Sequence, residues 1–125
     1  MRTILSAFAV LLASSIFSLA AEPAKVMDTK DGKVFTTDEG MVLYTFDEDG
    51  KDKSNCRATC TETWIPFKAP ADAAAEGDWS IVTRMDGSKM WAYDGKPLYR
   101  FALDTKPGEM NGNDMGGKWH VLKAE

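Results

Sequence analysis

The chain has 125 residues and a formal charge of −4 at pH 7, with its lysines and arginines scattered along the sequence. That distribution excludes the basic stripe of a nucleic-acid-binding domain and makes anionic lipid surfaces poor partners. With an N-terminal leader set aside, the remaining length fits one domain with one modest core.

The N-terminus carries a single positive charge, Arg2, followed by an apolar run from Ile4 to Leu19 that several serines soften. This is the layout of a secretory signal, and the small residues Ser18 and Ala20 predict cleavage after Ala20. The run is shorter than the ~20 residues of a spanning helix, and a polar stretch containing Pro23 follows at once. No cysteine ends it to take a lipid. The expected organisation is a signal peptide over 1–20 and a single domain over 21–125, periplasmic or secreted, with no stable membrane anchor after cleavage.

The mature part contains an internal duplication. Residues 40–49 read G-M-V-L-Y-T-F-D-E-D and residues 95–104 read G-K-P-L-Y-R-F-A-L-D, so both spell G-x-x-L-Y-x-F-x-x-D at an offset of 55. The same offset carries Asp31-Gly32 to Asp86-Gly87, Lys51 to Lys106 and Trp64 to Trp119 without a gap, which defines two copies at about 26–67 and 81–122.

Within each copy the period is two. Tyr44 and Phe46 are predicted to share one strand face while Leu43 takes the other, and Leu98, Tyr99 and Phe101 repeat the pattern. A β-prone run ends just before each motif strand, at Asp38-Glu39-Gly40 and at Asp94-Gly95. Such turns predict that the run and the motif strand pair as a hairpin. A loop follows, closed by Trp64-Ile65-Pro66-Phe67 in one copy and Trp119-His120-Val121-Leu122 in the other. Residues 68–78 read as a surface connection and 79–84 as a further strand. Since one hairpin cannot bury enough surface alone, the copies are expected to pack about a pseudo-twofold axis. The predicted fold is all-β and mainly antiparallel: two pseudo-symmetric hairpin-based repeats packed as one small sandwich or sheet, with at most a short helix near the cysteines.

The two cysteines, Cys56 and Cys60, are an even number in an exported chain and predict a disulfide. A helical turn over 54–62 would put both on one face, about 6 Å apart between Cα atoms.

The doubled Tyr-x-Phe-x-x-Asp, the S-N-C-x-x-x-C segment leading into Trp64, and Gly95-Lys96-Pro97-Leu98-Tyr99 together resemble a bacterial secreted-repeat family, described as predicted lipoproteins with a Y-x-(F/W/Y)-x-x-D motif. The resemblance spans nearly the whole mature chain. It implies an envelope location and a repeat architecture, and it carries over no catalytic residue. The chain departs from that family in lacking a lipidated cysteine. Its second copy also has Asn111 and Met115 where the offset places the cysteines.

The repeated residues Tyr44, Phe46, Asp49, Tyr99, Phe101 and Asp104 are expected to fill a core face with their rings, while each aspartate caps the turn ending its strand. Residues 47–52 alternate carboxylates as a calcium loop does, but Lys51 interrupts the EF-hand spacing and no bidentate glutamate closes it. Met110, Met115 and His120 are weak candidates for a soft-metal site. Residues 112–118 approach a phosphate-binding loop, yet Trp119 stands where a Ser or Thr must hold magnesium. His120 is the sole histidine, and neither cysteine has a sequence-local partner to activate it.

The expected function is therefore an exported, non-enzymatic envelope module with no cofactor and no catalytic residue, binding an unknown envelope component or small ligand. The alternative is a periplasmic copper, calcium or thiol-redox protein.

Overall fold

The computed structural model of the protein describes residues 22–124; the expected signal peptide over 1–20 lies outside them. The strands in chain order are β1 (Lys25–Thr29), β2 (Gly32–Thr36), β3 (Leu43–Phe46), β4 (Trp64–Pro66), β5 (Trp79–Thr83), β6 (Lys89–Tyr93), β7 (Lys96–Pro97), β8 (Tyr99–Phe101) and β9 (Trp119–Val121). One helical turn, α1 (Cys60–Thr63), precedes β4, and a 3-10 turn at Met115–Gly117 precedes β9. All paired strands are antiparallel. The fold is thus all-β with two repeats, as the sequence predicts.

Three sheets form: β1-β2, β5-β6-β7, and a central sheet in the order β4-β8-β3-β9. Tyr44 lies opposite Tyr99 in the β3–β8 pair, so the two motif strands meet at their own equivalent residues, on the pseudo-twofold axis. On the flanks the copies exchange strands. The first copy's β4 pairs with the second copy's β8, placing Trp64 opposite Phe101. The second copy's β9 pairs with the first copy's β3, placing Trp119 opposite Phe46.

The exchange continues past the strands. The Phe35 amide donates to Leu122 O and the Ala124 amide to Lys33 O, tying the end of the second copy onto β2. Likewise the Trp91 amide donates to Phe67 O and the Ala69 amide to Lys89 O, tying the end of the first copy onto β6.

This arrangement explains a departure from the expected hairpins. Asp94 and Gly95 both have positive φ, 51° and 76°, as a two-residue hairpin turn requires. Yet the hairpin they close lasts only two residue pairs, Ala92–Pro97 and Tyr93–Lys96, before the chain crosses into the central sheet. In the first copy, β2 and β3 share only the isolated bridge Thr36–Val42. A strand has two edges, and the motif strand β8 gives both of its own to β3 and β4. The long hairpins are instead β1-β2 and β5-β6.

The register between copies also slips where the sequence reads a constant offset. Met27 pairs with Val34 in β1-β2, and Val82 with Met90 in β5-β6, so the offset is 55 for the first strand and 56 for the second. The Arg84 amide bonds Ser88 O around three residues, whereas Thr29 pairs with Gly32 around two. The next turn restores the count, with three residues between Thr37 and Met41 but two between Tyr93 and Lys96.

Alternation along the motif strands sends side chains to two cores. Tyr44, Tyr99 and Phe101 join Trp64, Trp119, Met90 and Val34 on one face, while Leu43 and Leu98 join Phe35, Trp79 and Ala24 on the other. The predicted facing of both strands holds.

Cys56 and Cys60 form the disulfide, with Cα atoms 5.3 Å apart. The helical route to it is corrected: only Cys60–Thr63 is helical, Ala58 has a φ of 53°, and the Cys60 amide closes a turn onto Arg57 O. A left-handed alanine interrupts any helix running from 54 to 62. Titration of the unfolded, unreduced protein with a thiol reagent should find no free thiol. Reducing so short a loop should lower stability by about 2 kcal/mol, measured by urea denaturation.

Candidate functional site

The repeated motif forms a reciprocal latch between the copies. The Tyr44 hydroxyl donates to Asp104 Oδ2 at 2.5 Å, and the Tyr99 hydroxyl donates to Asp49 Oδ2 at 2.7 Å. Each aspartate uses its other oxygen to cap the loop after its own strand. Asp49 Oδ1 accepts from the Asn55 amide at 2.6 Å, and Asp104 Oδ1 from the Asn111 amide at 3.0 Å. The capping expected of the aspartates is therefore joined by a bond from the opposite copy's tyrosine.

The separations of six and seven residues show a second slip, which makes Gly112 rather than Asn111 the structural counterpart of Cys56. Burial raises the pKa of both tyrosines and of Asp49, against the hydrogen bonds from Asn55 and Tyr99 that favour the Asp49 carboxylate.

Around the latch the rings form one column. Phe46 stacks on Trp119 at 4.1 Å, Trp119 on Trp64 at 3.8 Å, and Trp64 on Phe101 at 4.6 Å between centroids. Tyr44 meets Trp64 edge-on, and Tyr99 meets Trp119 the same way, both at 5.2 Å. Tyr44 and Tyr99 are fully buried, so their rings build the interior.

The carboxylates of residues 47–52 diverge. Asp47 faces His120, Glu48 pairs with Lys118, Asp49 serves Tyr99, and Asp52 accepts from Ser80. Among the described residues, no group of three or more His, Cys, Asp or Glu is placed to hold a metal. Met110 packs on the core and Met115 is exposed.

His120 is instead clamped, with Nε2 2.8 Å from Asp47 Oδ2 and Nδ1 3.0 Å from Asp114 Oδ1. Those two carboxylates raise its pKa. A raised folded value favours the folded state below the ordinary histidine value, and this stabilisation is lost as pH rises through the folded value. The melting temperature should therefore fall as the pH rises above the ordinary histidine value, and His120→Gln should remove that slope.

A concave aromatic surface lies outside the repeated motif. A cleft of about 850 Å³ lies between the β5-β6 hairpin and the connection over 70–78, with Phe35, Trp79, Trp91 and Tyr93 among its walls. Trp79 meets Tyr93 at 4.9 Å and 64°, and Trp91 at 6.2 Å and 82°, so the rings stand as crossed walls. Trp91 and Tyr93 are only half-buried.

Trp79 is buried in the second core and Trp91 and Tyr93 pack against it, so these rings serve the interior as large aromatics commonly do. Two of them, Trp79 and Tyr93, are set apart by their failure to repeat. The strand registers make Ala24 the first-copy counterpart of Trp79, Thr37 that of Tyr93 and Phe35 that of Trp91, whereas the latch and column residues keep their identity in both copies. Trp79 and Tyr93 are therefore additions of the second copy to the shared frame, packed on Phe35 in the second core.

No curated protein and no solved structure matches the chain. A profile of the family described as a secreted repeat of unknown function matches residues 25–68 and again 80–123, on the two halves that exchange strands in the fold. The chain belongs to this family of exported repeat proteins.

Proposed function

We propose that the protein is a non-enzymatic binding module of the cell envelope, periplasmic or secreted, and that the cleft walled by Trp79, Trp91 and Tyr93 takes a small ligand. The observation that carries this reading is the aromatic cluster at a concave surface, two of whose rings, Trp79 and Tyr93, have no aromatic counterpart in the first copy. In a molecule built by duplication, residues required by the shared frame recur; Trp91 has the aromatic Phe35 as its counterpart, but Trp79 and Tyr93 have none. Concave, mostly apolar clefts with a few polar groups are the common form of small-molecule sites.

The non-enzymatic half of the reading is supported by the state of the reactive groups. Both cysteines are consumed in the disulfide, and both ring nitrogens of His120 are engaged by carboxylates. Lys and Arg do not line the aromatic cleft, and its polar rim is acidic.

Tryptophan emission and amide shifts, followed while muropeptides, neutral sugars, polyamines and quaternary ammonium compounds are added, test the proposal. At least one class should perturb Trp91 and Tyr93, and Trp91→Ala should abolish the response while the protein stays folded. A cleft that no class perturbs would overturn it.

A further inference from the structure

We infer that the occupant of the aromatic cleft is an organic cation, an alkylated or quaternary ammonium group carried on a small molecule. This deepens the binding reading above and rests on it.

The first argument is the shape of the walls. The faces of tryptophan and tyrosine rings are the negative ends of their quadrupoles, and a cation held against several of them at once is attracted by each. Trp79, itself mostly buried, stands nearly perpendicular to the half-buried Trp91 and steeply inclined to the half-buried Tyr93, so the accessible parts of these rings meet as corners. A corner lets one bulky, weakly hydrated cation touch more than one ring, whereas a flat sugar prefers a single open platform.

The second argument is the rim. Glu22, Asp72, Glu76 and Asp78 border the cleft, and no lysine or arginine does. Among the described residues, none of these four carboxylates makes a side-chain hydrogen bond or an ion pair within the protein. Such a rim attracts cations and repels phosphates and carboxylates.

A net charge of −4 spread evenly would not produce this selection. A second groove of about 840 Å³, near the disulfide, carries Lys53, Arg57, Lys68, Arg84 and Lys89 against Asp52 and Asp86. These two concave surfaces have opposite signs, and the groove that adjoins the aromatic cleft at Trp91 mixes Lys68 and Arg100 with Asp38 and Glu39, so a purely acidic rim is particular to the aromatic cleft.

The experiment titrates the purified protein with tetramethylammonium, with choline, with the uncharged carbon isostere of choline, and with cellobiose. Tryptophan side-chain resonances and calorimetry provide the readouts. Both cations should shift the Trp79 and Trp91 signals, and the uncharged isostere should bind at least tenfold more weakly. Trp91→Ala should abolish cation binding. Asp78→Asn, an exposed change that leaves the walls intact, should weaken it several-fold without moving the melting temperature.

Equal binding of choline and its uncharged isostere, or a response to cellobiose alone, would overturn the cation assignment and leave the binding module standing. Cation binding that survives Trp91→Ala unchanged would place the cation elsewhere and overturn the assignment too. Silence of the cleft toward all four compounds overturns the cation assignment, and silence extended across the wider ligand classes overturns both readings.

Discussion

Tyr44→Ala and Tyr99→Ala should each lower the unfolding free energy by about 3–5 kcal/mol, the range for losing a large buried aromatic. Both rings are fully buried, and each touches a member of the stacked column edge-on. Each also donates to an aspartate of the opposite copy, so truncation empties a volume and orphans a carboxylate oxygen. Small domains hold only about 5–15 kcal/mol in total, so either variant should be near the edge of folding at ambient temperature.

The two contributions can be separated. Tyr44→Phe keeps the ring and removes the hydroxyl, leaving Asp104 Oδ2 without its donor and the Gly112 amide, 3.3 Å from that hydroxyl, without its acceptor. It should cost about 1–3 kcal/mol, the desolvation penalty of an unmade buried bond. Tyr99→Phe should cost less, because Asp49 is less buried than Asp104 and Ser54 retains its bond from Arg84. Urea denaturation of the four variants checks the order. A Tyr→Phe cost as large as the Tyr→Ala cost would show that the latch, rather than the ring, dominates.

Gly112→Ala should be the most damaging single added methyl group in the molecule's loops. A Cβ there would lie 2.6 Å from Trp64 Cη2 and 3.0 Å from a Phe101 ring carbon. Both rings belong to the column and have neighbours behind them, so neither can retreat freely. Overpacking of this kind typically costs about 1–3 kcal/mol. Gly116→Ala provides the contrast: its φ is 61°, but no atom lies within 4 Å of the added carbon. That variant should lose only the backbone penalty of about 1 kcal/mol. Equal losses at the two sites would mean that conformation, not the close approach to Trp64, is what position 112 requires.

The duplication, the alternation of Leu43 against Tyr44, and the Asp94-Gly95 turn were readable because each depends on neighbours along the chain. Partner choice was not readable, for a specific reason. Trp64 is followed in space by Phe101, but Phe46 has the same identity and the same place in its own copy. When both possible partners are phenylalanine in equivalent strands, nothing local distinguishes pairing within a copy from pairing across copies. The one-residue slips at β6 and Asn111 were hidden likewise, since compensating turn lengths restore the offset before the next recognisable residue. The cleft was hidden because Phe35, Trp79, Trp91 and Tyr93 are scattered over two hairpins and converge only when the halves are docked.

The strand exchange has a further consequence. An arrangement in which identical units each donate a tail to the other has the geometry of a two-fold homodimer whose subunits have been joined end to end. Joining makes the second unit always present at high effective concentration, so assembly no longer depends on how much protein there is. It also releases the halves from having to be the same. In a true homodimer every substitution appears twice, on both sides of the axis; here a tryptophan can stand at position 79 while alanine remains at 24. The fused chain can thus keep a symmetric frame and place a single, lopsided pocket upon it.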